Sequence, residues 1–170
     1  GGADQVFHIG AASVAVPGML TGLGEAIRRR GRLAMSDVIG PAVALAREGV
    51  LLTAETAYLH EILAAMLTHT PGAAAVYAPQ GRLLGIGERV CFPELADTLA
   101  HVADVGVDSI RDGPLAGAIV DHLRSVGGLV TAEDLRAYRV IERAPLRVDY
   151  RDVTLLTNPP PSSGGALIAA

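Results

Sequence analysis

Ser162 and Ser163 are the first candidates for chemistry in this sequence of 170 residues, because they stand between three prolines and two glycines. A nucleophilic serine needs a base to take its proton, and no histidine is near either serine in sequence. The surrounding Pro-Ser-Ser-Gly is also not the G-x-S-x-G turn that exposes a hydrolase serine. We therefore expect both hydroxyls to bond nearby backbone groups that the prolines leave open. The alternative is contact with a substrate or a partner.

Cys91 is the only cysteine, which excludes an internal disulfide and a cluster of thiolate metal ligands. Its neighbours Val90, Phe92 and Pro93 predict a small packing residue near the start of a helix. A helix N-terminus lowers the pKa of a thiol, so a nucleophilic cysteine stays the alternative.

Histidines and acidic residues are present without the spacing of a metal site. No two of the five histidines are four residues apart, and His60-Glu61 lacks the second histidine of a zinc protease. The aspartates of residues 97–121 lack the order of a calcium loop, and Gly85-x-Gly87 lacks the third glycine of a dinucleotide-binding turn. The sequence therefore predicts neither a cofactor nor a metal, and no acid–base pair.

The charged residues exclude further classes of protein. All 14 basic residues are arginine, so a Schiff-base lysine and a phosphate-binding P-loop lysine are ruled out. The net charge of −4 argues against nucleic acid as a partner. The most apolar stretch, residues 11–27, contains Pro17 and several glycines and leads directly into three arginines, which argues against a membrane span.

Helical spacing of apolar residues predicts six helices before about residue 138. Pro17 is expected to open the first helix and Gly31 to stop it, while Ser36 caps a second helix that is kinked or restarted at Pro41. Thr53 caps a third helix, whose predicted inward residues are Tyr58, Ile62, Ala65 and Met66 and which Thr70-Pro71-Gly72 breaks.

Residues 73–90 are expected to form a loop or a hairpin. Pro93 then opens a fourth helix with Leu95, Leu99 and Val102 inward, and Pro114 opens a fifth. The predicted core face of the fifth helix is Leu115, Ile119, Leu123 and Val126. Thr131 and Asp134 predict a capping box for a short sixth helix.

The pattern becomes extended after residue 139, with predicted extended segments at 140–142, 146–150 and 153–157 and a turn at Asp152. The alternation of polar and apolar residues from Arg147 to Arg151 is typical of a strand with one face in water. Residues 166–170 resemble the start of a helix, and the chain is expected to be truncated there. The predicted fold is mainly α with a short C-terminal antiparallel β segment. The exposed edge of that segment predicts self-association of the chain alone.

Several short segments follow one another in a specific order along the chain. They begin with Ser13-Val14-Ala15-Val16-Pro17-Gly18, include the stretch from Gly127 to Tyr138, and end with the run of residues 159–165, Pro-Pro-Pro-Ser-Ser-Gly-Gly. In this order they resemble the large subunit of γ-glutamyltranspeptidases. Each segment alone is weak, but their collinear order is specific. On this basis the chain is identified as the C-terminal part of the large subunit.

The resemblance implies an N-terminal nucleophile hydrolase that cleaves its own precursor and attacks γ-glutamyl amides with the first threonine of its small subunit. By the same resemblance, that threonine lies beyond Ala170 and the arginine that holds the substrate carboxylate lies before Gly1. No catalytic residue is therefore transferred to this chain, and Ser162 and Ser163 remain the candidates for substrate contact. The implied partners are the small subunit and a small γ-glutamyl substrate such as glutathione.

The resemblance also implies that residues 1–139 form a helical lobe, whereas residues 140–170 belong to an αββα sandwich that is incomplete in this chain. Related members act on cephalosporin side chains or on poly-γ-glutamate, and the sequence does not separate these substrates. The alternative from another class is a non-catalytic helical module that only packs against partners.

Overall fold

The computed structural model describes residues 6–170, which form two compact units. The first unit extends through Tyr138 and is mainly helical, whereas the second unit, Arg139–Ala170, is a hairpin followed by one helix. The described part of the chain contains two small antiparallel sheets of two strands each. The prediction of a mainly helical chain with a short antiparallel segment near its end is confirmed.

The first unit contains eight helices and two short strands among its described residues. Its helices are α1 Met19–Arg30, α2 Met35–Glu48, α3 Ala54–Ile62, α4 Ala64–Leu67, α5 Pro71–Tyr77, α6 Pro93–Val105, α7 Pro114–Ser125 and α8 Ala132–Ala137. Its strands are β1 Val50–Leu51 and β2 Arg89–Val90, and single 3-10 turns lie at Ala11–Ser13 and Val107–Ile110. The second unit contains β3 Leu146–Tyr150, β4 Val153–Thr157 and α9 Ser163–Ala169.

Three helices begin after a threonine whose side-chain oxygen accepts a hydrogen bond from the backbone amide three residues later. These threonines are Thr53, Thr70 and Thr131. The predicted cap at Thr53 and the predicted capping box of Thr131 with Asp134 are confirmed. Thr70 was expected to end a helix and precede a loop, but it caps α5 instead. Pro71 follows at the first helical position, where its missing donor costs nothing.

The predicted third helix is wrong in its length and in its inner face. It ends at Ile62, and Leu63 separates it from α4. Tyr58 is 62% exposed and Ile62 is 58% exposed, while the small Ala57 is 5% exposed and supplies the buried face. The predicted inward residue Met66 is also exposed. The regular spacing of apolar residues therefore predicted a helix correctly, but it did not identify which face of that helix is buried.

The starts of the first two helices also differ from the prediction. Pro17 lies before α1, because the first helical hydrogen bond joins the Gly22 amide to the Gly18 carbonyl at 2.9 Å. Ser36 is inside α2 and does not cap it. Pro41 does not interrupt α2, since the carbonyl that it leaves without a donor belongs to the exposed Asp37 and can bond water.

One part of the core lies where α2 packs against α6. The buried side chains on these two helices are Ile39, Ala46, Ala96 and Val102. Val102 is buried as predicted, but Leu95 is 47% exposed, so its predicted inward position is wrong. Leu95 instead lines a cavity together with Phe92 and Pro93.

A second buried cluster joins α7 to α8 and the segment between them. Its members are Ala116, Val120, Leu123, Val130 and Leu135. Leu123 was predicted in the core and Ile119 packs against the cluster, whereas Val126 is 53% exposed, contrary to prediction, because α7 has already ended. Leu135, at 1% exposure, fixes the short helix α8 to the unit.

A hairpin or loop was predicted for residues 73–90, and the pairing found there is long-range. β2 pairs with β1 in antiparallel register, with Val50 opposite Val90 and Leu51 opposite Arg89. Because β1 and β2 pair, residues 50 and 90 lie side by side, and the chain between them contains α3, α4 and α5.

The second unit confirms the predicted hairpin of β3 and β4, with Leu146 opposite Thr157 and Tyr150 opposite Val153. Residues 140–142, which were expected to be extended, are not part of either sheet in the described part of the chain. Helix α9 starts at Ser163, three residues earlier than predicted, and packs against both strands. Across residues 6–170, each helix is too short or too polar to cross a bilayer.

Candidate functional site

Ser162 and Ser163 lie where the chain passes from the end of β4 into α9. The Ser162 amide donates to the Pro159 carbonyl at 3.1 Å, which closes a tight turn. The Pro160–Pro161 peptide bond within this turn is cis. Ser162 has extended backbone angles, with φ −70° and ψ 105°, and Ser163 is the first residue of the helix.

The hydroxyl of Ser162 does not cap the helix that it precedes. Within the described residues it has no hydrogen-bond partner, although the residue is half-buried. The expectation that the Ser162 hydroxyl bonds nearby backbone is therefore wrong. Ser163 is exposed. The structure thus leaves a free hydroxyl at Ser162, beside a rigid turn.

Gly165 is buried where α9 lies against the end of β4, and a Cβ atom at this position would overlap the carbonyl oxygen of Asn158. Gly164 is exposed, and a Cβ atom there would meet nothing within 4 Å. Neither glycine has a positive φ. The close backbone approach that the glycine pair suggested is therefore present at Gly165 alone.

A cavity of about 370 Å³ opens beside this turn in the second unit. It is lined by Ile141, Arg143, Asn158, Pro159, Pro161 and Ser162. The sequence prediction missed Arg143 and Asn158. Hairpin register was the signal that could have found them: because Leu146 pairs with Thr157, the residues before β3 must lie beside those after β4.

Three of the five histidines border one cavity of the first unit, although nothing in their spacing indicated it. His8, His69 and His122 lie around a space of about 840 Å³. Among residues 6–170, no group of histidine, cysteine, aspartate or glutamate side chains is arranged to hold a metal ion. His60 has a different environment: its ring packs edge-on against Tyr77 with centroids 5.3 Å apart.

Cys91 is half-buried two residues before the start of α6. Its Sγ lies 3.7 Å from the carbonyl oxygen of Glu48 and against Gly49, where no side chain would fit. It also borders a mostly apolar cavity of about 630 Å³ together with Phe92. These contacts agree with the predicted packing role of the thiol.

Two carboxyls of the first unit, Glu25 and Glu88, are stabilised in their ionised form by arginines. Hydrogen bonds from the Arg82 guanidinium, at 2.6 and 2.8 Å, and from the Gly85 amide lower the pKa of Glu88 to about 2. Arg28 and Arg29 likewise lower the pKa of Glu25 to about 2. Such shifts favour the charged form, whereas a general acid at neutral pH needs a raised carboxyl pKa. These pairs are therefore structural.

The sequence profile of the Gamma-glutamyltranspeptidase family matches residues 1–170. Acylase ACY 1 proenzyme of Pseudomonas sp. strain V22 is 38% identical over 98% of this chain, which spans 30% of that protein. Glutathione hydrolase proenzyme of Pseudomonas aeruginosa is 34% identical over 98% of this chain, which spans 29% of it.

A solved structure shows the same arrangement of elements. The crystal structure of Helicobacter pylori γ-glutamyltranspeptidase matches with a TM-score of 0.85 and 27% identity, over 94% of this chain and 46% of that one. Because the family profile covers the whole chain and the relatives agree along almost all of it, the chain belongs to the γ-glutamyltranspeptidase family.

Proposed function

We propose that this chain is the C-terminal part of the large subunit of an enzyme that hydrolyses or transfers γ-glutamyl groups. The observation that carries the proposal is the family match over all 170 residues. A glutathione hydrolase proenzyme that is 34% identical over 98% of the chain supports it. Glutathione-like γ-glutamyl amides are the proposed substrates. The relative is a proenzyme, which supports a precursor that is cleaved into two subunits.

The proposed nucleophile is the first threonine of the small subunit, outside these 170 residues. Its attack on the γ-glutamyl carbonyl forms an ester between the threonine oxygen and the glutamyl group, and the amine leaves with a proton. Water then releases glutamate in hydrolysis, or a second amine accepts the group in transfer. Hydrogen-bond donors that stabilise the oxyanion are likewise assigned to the small subunit. This chain therefore supplies scaffold rather than reacting groups.

The division of the chain into two compact units supports a separate assignment for each unit within the complete enzyme. We assign residues 1–139 to the helical lobe and residues 140–170 to the edge of an αββα sandwich. The hairpin of β3 and β4 carries apolar side chains that are exposed in this chain, among them Val153 at 64% and Leu156 at 60%. Strands and helices of the remaining sandwich would cover such a surface.

The test is release of nitroaniline from γ-glutamyl-p-nitroanilide by the complete precursor. We expect two subunits on a denaturing gel and steady turnover. A precursor with alanine in place of the small-subunit threonine should remain a single chain and lose turnover by many powers of ten. The 170-residue chain alone should release nothing. Full turnover by the alanine precursor, or by the chain alone, would refute the proposed nucleophile.

A second candidate is an acylase that acts on the side-chain amide of a cephalosporin. An acylase is favoured by the 38% identity to the acylase proenzyme, which exceeds the 34% identity to the glutathione hydrolase reported above. Cephalosporin as its substrate is favoured by the likeness to the crystal structure of the cephalosporin acylase from Bacillus halodurans, which matches with 29% identity and a TM-score of 0.67. The same purified precursor should be assayed with both a γ-glutamyl anilide and an N-acyl cephalosporin. A higher kcat/KM for the cephalosporin would replace the first candidate by the second. A protein with neither activity would favour the non-catalytic packing module.

A further inference from the structure

The cavity beside the proline turn has the composition of a site for a small anion. Its polar side chains are Arg143, Asn158 and Ser162, and its walls are Ile141, Pro159 and Pro161. All six residues belong to the second unit. A volume of about 370 Å³ is within the usual range for pockets that bind small molecules.

Arg143 is the only charged residue in the lining, so the cavity has a positive charge and no carboxylate of its own. Its side chain is exposed, and no acidic partner among the described residues pairs with it. The arginines of β3 and its turn differ from Arg143: Arg147 lies 3.5 Å from Asp149, and Arg151 lies over the Tyr150 ring. A free guanidinium offers two parallel donors, which match the two oxygens of a carboxylate.

Ser162 and Asn158 supply neutral donors on the same cavity. The Ser162 hydroxyl is free because it does not cap α9, and the Asn158 amide group adds a further donor. One cation with two neutral donors fits the single charge of a carboxylate. A phosphate dianion would leave a second negative charge without a cation.

The backbone around the cavity is already ordered, which lowers the entropic cost of binding. The Ser162 amide donates to the Pro159 carbonyl at 3.1 Å, and the prolines at residues 159–161 restrict φ between Asn158 and Ser162. Gly165 rests directly on the backbone of Asn158 and fixes the end of β4 against α9. The backbone at Asn158 and Ser162 is therefore held in place without a ligand.

We propose that this cavity, the carboxylate pocket, binds the carboxylate of a small organic acid through Arg143, Asn158 and the free hydroxyl of Ser162. The inference uses only the second unit and does not depend on which amide the enzyme cleaves. It accounts for the free hydroxyl of Ser162, which neither caps α9 nor has a histidine near it in sequence to activate it as a nucleophile.

The test is chemical modification of the complete, folded protein with phenylglyoxal, which reacts with accessible arginines, read by peptide mass spectrometry. Glutarate is the probe, and neutral glutaramide is its matched control. We expect glutarate to slow the labelling of Arg143 in proportion to its occupancy, while glutaramide has no effect. Labelling of Arg151, an exposed arginine of the same unit outside the pocket, should be unchanged by either compound.

Ser162→Ala should require about tenfold more glutarate for the same protection, the usual effect of losing one hydrogen bond to a charged group. An unchanged Arg151 labelling rate in this variant confirms that the unit is still folded. The proposal fails if glutarate does not protect Arg143 in the unmodified protein. It also fails if Arg143 is unreactive without glutarate, because the pocket would then be covered, or if glutaramide protects equally well.

Discussion

Two adjacent glycines in α9 have opposite surroundings, and this difference isolates the role of each. Gly165 is buried against the backbone of Asn158, which cannot move without shifting the end of β4. Gly164 faces open space in the same helix. A side chain is therefore sterically excluded at Gly165, whereas the space around Gly164 would accept one.

We expect Gly165→Ala to lower the free energy of unfolding by about 1–3 kcal/mol, because the new methyl group overpacks a backbone contact. Gly164→Ala should instead raise it by about 0.5 kcal/mol, because alanine favours a helix over the unfolded chain. Urea unfolding of both variants of the complete protein measures the two changes. Equal destabilisation by both substitutions would contradict the close approach at Gly165.

Glu88 provides a pH-dependent test at the residue scale. Its pKa is lowered from its usual value of 4.5 to about 2, chiefly by the Arg82 hydrogen bonds. Because the folded-state pKa is the lower one, the pair stabilises the fold fully above pH 4.5. That contribution is lost as the pH falls towards 2.

Glu88→Gln should therefore lower stability at pH 7 and flatten the decline of stability between pH 4.5 and pH 2. Glu61→Gln, a change at an exposed glutamate of α3, is the matched control. Unfolding free energies measured across this pH range give the comparison. If both variants followed the parent curve, the Arg82 pair would contribute nothing.

At the scale of elements, local chemistry was predictable and long-range packing was not. Thr53, Thr131 and the hairpin of β3 and β4 were identified because a cap or a two-residue turn is determined by neighbours in sequence. The face of α3 was assigned wrongly, because spacing alone does not tell whether Tyr58 or Ala57 meets a partner helix.

The candidate site shows the same limit. Ser162 was found from its unusual neighbours, whereas Arg143 is 19 residues earlier in the chain and enters the cavity only through strand register. The gathering of three histidines around one cavity depends on the packing of separate segments. No local pattern carries such information, because it depends on how distant segments fold together.

The capping box of α8 is an element-scale prediction. Thr131 accepts from the Asp134 amide at 3.2 Å, and Asp134 accepts from the Thr131 amide at 2.8 Å. Thr131→Ala should lower the free energy of unfolding by about 1 kcal/mol, because the Asp134 amide loses its acceptor and the Asp134 carboxylate loses the hydrogen bond from the Thr131 hydroxyl. Thermal unfolding measures this loss.

Thr98→Ala is the matched control, because the Thr98 hydroxyl bonds only the Glu94 carbonyl inside α6 at 2.9 Å. Its removal should change stability by less than about 0.5 kcal/mol. Equal losses at Thr131 and Thr98 would mean that the cap does not anchor α8.

At the scale of the whole molecule, much apolar surface is exposed. In the second unit it includes Leu156 at 60%, Leu167 at 76% and Ile168 at 67%. A sheet of two strands also leaves both outer edges without backbone partners. The chain spans 30% of its acylase relative, and other parts of such a protein are the proposed cover for this surface.

The 170-residue chain alone should therefore associate with itself, because joining copies removes these side chains from water. Sedimentation velocity over a range of concentrations should show dimers or larger species. Replacing Leu167 and Ile168 by glutamine should shift the distribution towards monomer. Val105→Gln, at a residue 57% exposed at the end of α6, should change it less. A strict monomer with slow amide exchange throughout β3, β4 and α9 would contradict this expectation, since the second unit would then be stable with its apolar surface in water.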